Sequence, residues 1–187
     1  PERAREFGLA GRRRAVDSFS WASIGDRTLD DPDVVKVEAG GKVRLRIING
    51  GTATAFFVST PGLSSRCVAV DGTACQPLSE PSYPLAQGQR IDLIVDIPKA
   101  GGAFPLIAQV EASRSMTGLI LATPNAPIRK QSSLADKDAG FVDLGFESRL
   151  RARSPLASRQ PDQMQMMMLG EEVGYRWTIN GRVHGEH

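Results

Sequence analysis

Few side chains in this sequence have the chemistry to hold a soft metal. There are two histidines, His184 and His187, two cysteines, Cys67 and Cys75, and five methionines, four of them within residues 164–168. Imidazole, thiolate and thioether are the donors that copper prefers. His184-Gly-Glu-His187 has the i, i+3 spacing that could serve a metal on a helix, with Glu186 assisting. Gly185 and the Asn180-Gly181 turn before it oppose a helix, so ordinary loop imidazoles are expected, with an adventitious ion as the alternative. In an extended strand Met164, Met166 and Met168 would share one face, and three thioethers can hold Cu(I). The plainer expectation is that these adaptable side chains fill a gap against an adjacent domain.

The cysteines flank Asp71-Gly72, a strong signal for a two-residue turn. Direct opposition across such a turn pairs Val68 with Cys75, leaving Cys67 one step out of register. A disulfide is conceivable in an oxidising compartment, but two independent thiols are expected. Asp92 with Asp96, or Asp30 and Asp31 with Asp33, could be read as acid–base pairs. Alternation puts the first two on a solvent face, and the others lie beside Pro32 in a loop. Neither arrangement supplies the desolvation that raises a carboxylate pKa, so surface carboxylates are expected. Gly50-Gly51 and Gly101-Gly102 lack the strand–loop–helix context of a phosphate cradle and are expected to be turns.

These residues need a framework, and its pattern is clear. Residues 34–38 and 43–48 alternate in character around Gly40-Gly41, predicting an antiparallel hairpin with one wet face. Val43, Leu45 and Ile47 fall on one side, and Arg44 and Arg46 on the other, as surface or interdomain ion-pair partners. Further strand signals occupy residues 55–58, 67–70, 91–97, 104–111 and 118–122. In the third of these, Ile91, Leu93, Val95 and Ile97 face inward. Pro105 suggests an edge position. Six to eight short strands without a convincing amphipathic helix predict an all-β sandwich or barrel.

The totals agree with one ordinary domain plus a linker. The 187 residues are 41% hydrophobic and 24% charged, which predicts a packed core, and 6% aromatic, which leaves that core to Val, Ile, Leu and Ala. A net charge of +2 is too small to argue for nucleic acid. No apolar run reaches the roughly 20 residues of a membrane helix. With no initiator methionine and no apolar signal core, the start is expected to be trimmed or engineered. Arg12-Arg13-Arg14 resembles a twin-arginine signal, but the polar residues after it favour a basic surface or linker segment. Residues 124–163 are rich in Pro, Ser, Asp, Lys and Arg and suit an extended linker over a neighbouring surface. Order is expected to resume at Met164, with a strand in residues 175–182 ending in the Asn180-Gly181 turn. The sequence stops as this new β unit opens, so a truncated protein is expected.

Four pieces in order carry a resemblance: residues 37–49, 68–72, 83–96 and 177–181. Together they resemble the middle domain of a three-domain multicopper oxidase, a laccase-like family built from cupredoxin β-sandwiches. The resemblance implies a cupredoxin-like Greek-key sandwich over residues 31–124. It implies an N-terminal linker over 1–30, an interdomain linker over 125–163 and the start of a following cupredoxin domain over 164–187. It also implies copper in the parent protein, held by His-x-His motifs and a His-Cys-His run that this chain lacks. No catalytic or cofactor-binding residue is therefore expected here, and no copper on this chain. The metal candidates stay Met164, Met166, Met168, His184 and His187. Implied partners are flanking cupredoxin domains of the same polypeptide, with neither nucleic acid nor membrane. The implied location is periplasmic or extracellular. The parent would oxidise phenols or metal ions and reduce dioxygen to water, this piece supplying scaffold and substrate-side wall. The alternatives are a copper-free cupredoxin scaffold of the division-associated type and an independent carbohydrate- or partner-binding sandwich.

Overall fold

A computed structural model describes residues 31–183. These residues fall into two compact units, one ending at Pro155 and the other beginning at Leu156. The first holds nine strands, β1 (Asp33–Lys36), β2 (Lys42–Ile48), β3 (Phe56–Ser59), β4 (Ser64–Val70), β5 (Thr73–Leu78), β6 (Tyr83–Leu85), β7 (Arg90–Asp96), β8 (Ala103–Val110) and β9 (Met116–Ala122). They form a five-stranded sheet in the order β1-β9-β8-β3-β6 and a four-stranded sheet in the order β2-β7-β4-β5.

The alternation in β7 decides how the sheets meet. Ile91, Leu93 and Val95 are at most 2% exposed, and Ile97 just beyond them is also buried. Burying side chains of this size stabilises the fold by roughly 1.5–3 kcal/mol each. β2 lies antiparallel on one side of β7, from Lys42 opposite Asp96 to Ile48 opposite Arg90. β4 lies on the other side. Ile91 and Leu93 pack with Val58 of β3, Tyr83 and Leu85 of β6, and Cys67 of β4. Val95 and Ile97 pack with Leu121 of β9. One apolar layer thus joins the two sheets, as the alternating pattern predicts.

The predicted hairpin over residues 34–48 is not formed. β1 instead runs parallel to β9, Asp33 meeting Leu119, while β2 joins the opposite sheet. Gly40-Gly41 is a crossover between sheets. Gly40 adopts a left-handed φ of 73°, its N–H donates to Pro98 O, and Gly41 O accepts from Ile97 N. Those bonds fix residues 40–41 to the end of β7 rather than letting β1 fold back on β2. Pro105 is likewise not on an edge strand, since β8 lies between β9 and β3. It is tolerated because the β3 ladder stops at Ile107.

Residues 125–155, expected as an extended linker over a neighbouring surface, are tied to the first unit itself. Ser115 and Leu134 form a bridge, Met116 N donates to Ser133 O, and Ala139 N donates to Ser113 O, wrapping the β8–β9 turn. Glu111 Oε1 accepts from Val142 N at 2.7 Å. Phe146 is buried and meets Tyr83 edge-on, ring centroids 5.8 Å apart. Polar composition here reflects a segment tied by its backbone, anchored by a single aromatic residue.

The second unit holds β10 (Leu169–Glu172), β11 (Arg176–Ile179) and β12 (Arg182–Val183) in an antiparallel sheet. The expected Asn180-Gly181 turn is present, both residues at positive φ (53° and 74°) as a tight hairpin requires.

Replacing Phe146 by Ala should lower the stability of the first unit by about 3 kcal/mol, read from the midpoint of a urea titration. Phe141→Ala, at a side chain 77% exposed, should change it by less than about 0.5 kcal/mol. Equal effects would contradict the anchoring of this segment.

Candidate functional site

Three features of the first unit bring polar or reactive groups together. The first is the outer face of β2, β7 and β4. Asp92 receives Arg44 Nε at 2.9 Å and lies 3.4 Å from Arg46 Nε. Asp96 receives Arg66 Nη1 at 2.6 Å and Lys42 Nζ lies 3.3 Å away. The expected solvent-side placement of Arg44, Arg46, Asp92 and Asp96 is thus observed, with the ion pairs partly exposed. Each such pair contributes little to stability. The hydrogen bond from Arg66, aided by Lys42, holds the Asp96 carboxyl below the usual aspartate range. A carboxylate kept ionised in this way is no general acid. Asp31 precedes β1 and Asp33 begins it, while Asp30 lies outside the described residues.

The second feature is the thiol pair. Asp71-Gly72 forms the expected tight turn, with φ of 48° and 84°. Val70 meets Thr73 and Ala69 meets Ala74, but the ladder then slips and Cys67 meets Leu78. The slip leaves both sulfurs inside the core, unbonded and 3.9 Å apart. Their proximity was hidden in the sequence because an ideal ladder separates them. Burial, reinforced by the neighbouring Cys75, pushes the Cys67 thiol up to about 12.

The third is a cleft of about 680 Å³ at one end of the sandwich, lined by residues 59–65 and 79–82. Tyr83 beneath it accepts a hydrogen bond from Glu80 N at 3.2 Å, and its hydroxyl lies 3.3 Å from Ser65 Oγ. Glu80 pairs with Arg149 from the wrapping segment. Asn49, another buried residue whose role sequence reasoning missed, donates to Thr54 O and Leu85 O and accepts from Gly51 N. Its partner Leu85 lies 36 residues away, a relation that leaves no trace in spacing.

Of the candidate metal ligands, only the methionines fall among the described residues. Met164, Met166 and Met168 are each at least 66% exposed and precede β10 rather than lying in a strand. The backbone of Met168 is held by Asn180, its N–H donating to Asn180 Oδ1 and its carbonyl accepting from Asn180 N. His184 and His187 lie outside the described residues. Among the described residues no three His, Cys, Asp or Glu side chains converge as a metal site. A blue copper centre needs a thiolate with imidazoles. Cys67 is a protonated thiol whose polar neighbours are Cys75 and the Ala69 carbonyl, a donor set that does not fit.

The family pattern described as "Multicopper oxidase" matches residues 10–126. The chain belongs to the multicopper oxidase family. It is 30% identical over 151 residues to Multicopper oxidase MmcO of Mycobacterium tuberculosis, covering 78% of this chain and 29% of that protein. It is 38% identical over 122 residues to a Copper resistance protein A homolog of Pseudomonas syringae pv. tomato, covering 62% of this chain and 20% of that protein. Among solved structures, the laccase of Botrytis aclada superposes with a TM-score of 0.63 at 19% identity, over 89% of this chain and 32% of the laccase. The iron-import oxidase Fet3p superposes with a TM-score of 0.62 at 13% identity, over 79% of this chain and 30% of Fet3p. These two similarities show the cupredoxin-like fold. The chain spans less than a third of the length of each relative.

The folded pKa of Asp96 lies below its ordinary value of about 3.8. Its ionised form therefore favours the fold above that pH, and the benefit is lost as pH falls below it. Asp96→Asn should lose this increment at neutral pH and show a shallower fall in stability between about pH 5 and about pH 3, measured by urea unfolding across pH. An unchanged acid slope would contradict the Arg66 assignment.

Proposed function

We propose that this chain is the central, copper-free cupredoxin segment of a multicopper oxidase. The parent would take single electrons from phenols or metal ions and reduce dioxygen to water, using copper ligands on other segments of the polypeptide. The observation that carries this reading is the donor chemistry: a sandwich of this family turns its two thiols inward against each other, as packing residues. The match of this chain to less than a third of each relative supports flanking cupredoxin domains as its partners. The separate β unit of residues 169–183 is consistent with the start of a following domain, as residues 164–187 were assigned above.

In this reading the rigid two-sheet core holds its neighbours at a fixed separation. The cleft lined by residues 59–65 and 79–82 contributes part of the substrate-side wall. Arg44, Arg46, Lys42 and Arg66 outnumber Asp92 and Asp96 on the outer face, which suits an acidic neighbouring surface. An exported location follows from the resemblance. Among the described residues no helix is long and apolar enough to cross a membrane.

Reconstitution with copper tests the proposal. The 187-residue chain, incubated with Cu(II) and desalted, should retain no stoichiometric copper, show no intense visible thiolate–copper band and oxidise no phenol. A longer polypeptide that includes the flanking segments should retain copper, show the band and oxidise phenol. Copper held by the chain with that band would contradict the proposal, and a copper-free, inactive longer polypeptide would favour the scaffold alternative.

A further inference from the structure

The oxidase reading gives the thiol pair no task, yet its placement is specific. Cys67 and Cys75 sit on adjacent strands, both inside the core. Val68 stands outside the paired register of β4 with either neighbour, and that slip brings the sulfurs to 3.9 Å. A disulfide is about 2.05 Å long, so closure requires a movement of about 2 Å. Rotation about a Cα–Cβ bond moves a sulfur by a distance of that order.

Access is also built in. β5 is the edge of its sheet, and the segment following Arg149 covers it: Gln76 N donates to Arg151 O, Arg153 N donates to Ala74 O, and Cys75 bridges to Ala152. A short edge contact of this kind opens at lower cost than the core. Cys75, on this edge strand, is the less deeply buried of the two thiols.

We propose that Cys67 and Cys75 are a reversible dithiol–disulfide couple that clasps β4 to β5, closed by exchange with a small-molecule disulfide. The Cys75 thiolate attacks one sulfur of that disulfide, forming a mixed disulfide and expelling one thiolate. Cys67 then loses its proton, attacks Cys75 Sγ and expels the second thiolate. Two protein thiols are oxidised and one external disulfide is reduced to two thiols, with two protons released to solvent or to those thiolates. Because burial keeps Cys67 protonated in the closed core, exchange proceeds through the opened edge, where water admits the thiolate. The closed clasp constrains the unfolded chain and so raises stability.

Treating the fully reduced chain with oxidised glutathione tests this. The intact mass should fall by two hydrogens, a non-reducing digest should join the Cys67 and Cys75 peptides, and the thermal midpoint should rise and return on adding dithiothreitol. Cys67→Ser should halt the reaction as a glutathione adduct on Cys75, and Cys75→Ser should leave no bridge. Full alkylation of both cysteines after treatment and unfolding would overturn the proposal. A persistent glutathione adduct on the unsubstituted chain, or a bridged species without a raised midpoint, would overturn it too.

Discussion

The rest of the first unit depends on the inner face of β7. This strand is paired on both sides, by β2 and β4, and its apolar residues touch both the β3–β6 end and the β9 side of the opposite sheet. Removing that contact would take the central strand out of both apolar clusters between the sheets. Other elements are positioned by reference to it: Gly41 bonds to Ile97 at one end, and Asp71 N bonds to Arg90 O at the other. The outer face of the same strand carries Asp92 and Asp96, so a single two-residue period sets both the core and the charged surface.

That period is also why much of the fold was legible. The in–out pattern of β7 and β2, the Asp71-Gly72 and Asn180-Gly181 turns, and the strands near residues 56, 67, 104 and 118 all follow from local side-chain chemistry. What escaped was non-local. Nothing within residues 33–36 signals a parallel partner at Leu119, and a Gly-Gly turn reads the same whether it closes a hairpin or crosses between sheets. β6 is only three residues long and contains Pro84, so no alternation exists to detect. The wrapping of residues 133–142 around the β8–β9 turn rests mainly on backbone hydrogen bonds, which composition does not encode.

The candidate site divides in the same way. Arg44, Arg46, Asp92 and Asp96 were placed on the correct face because alternation determines faces. The thiols are free, as expected, but their closeness was hidden, because a register slip lies beyond what ideal pairing arithmetic describes. The methionine run had suggested a donor face through strand geometry, and its residues lie ahead of β10 instead. Family membership rests on the sequence match, and the fold similarity to laccase and Fet3p agrees with it. Copper chemistry in the parent is a proposal that this sandwich supports by its donors: its sulfurs fill the core.

The dependence on β7 is most directly tested by native-state amide hydrogen exchange followed by mass spectrometry. Peptides covering residues 91–97 and their partners in β2 and β4 should exchange slowest and share one opening free energy, equal to that of global unfolding. Rapid exchange in residues 91–97, with slower exchange elsewhere in the first unit, would contradict the account.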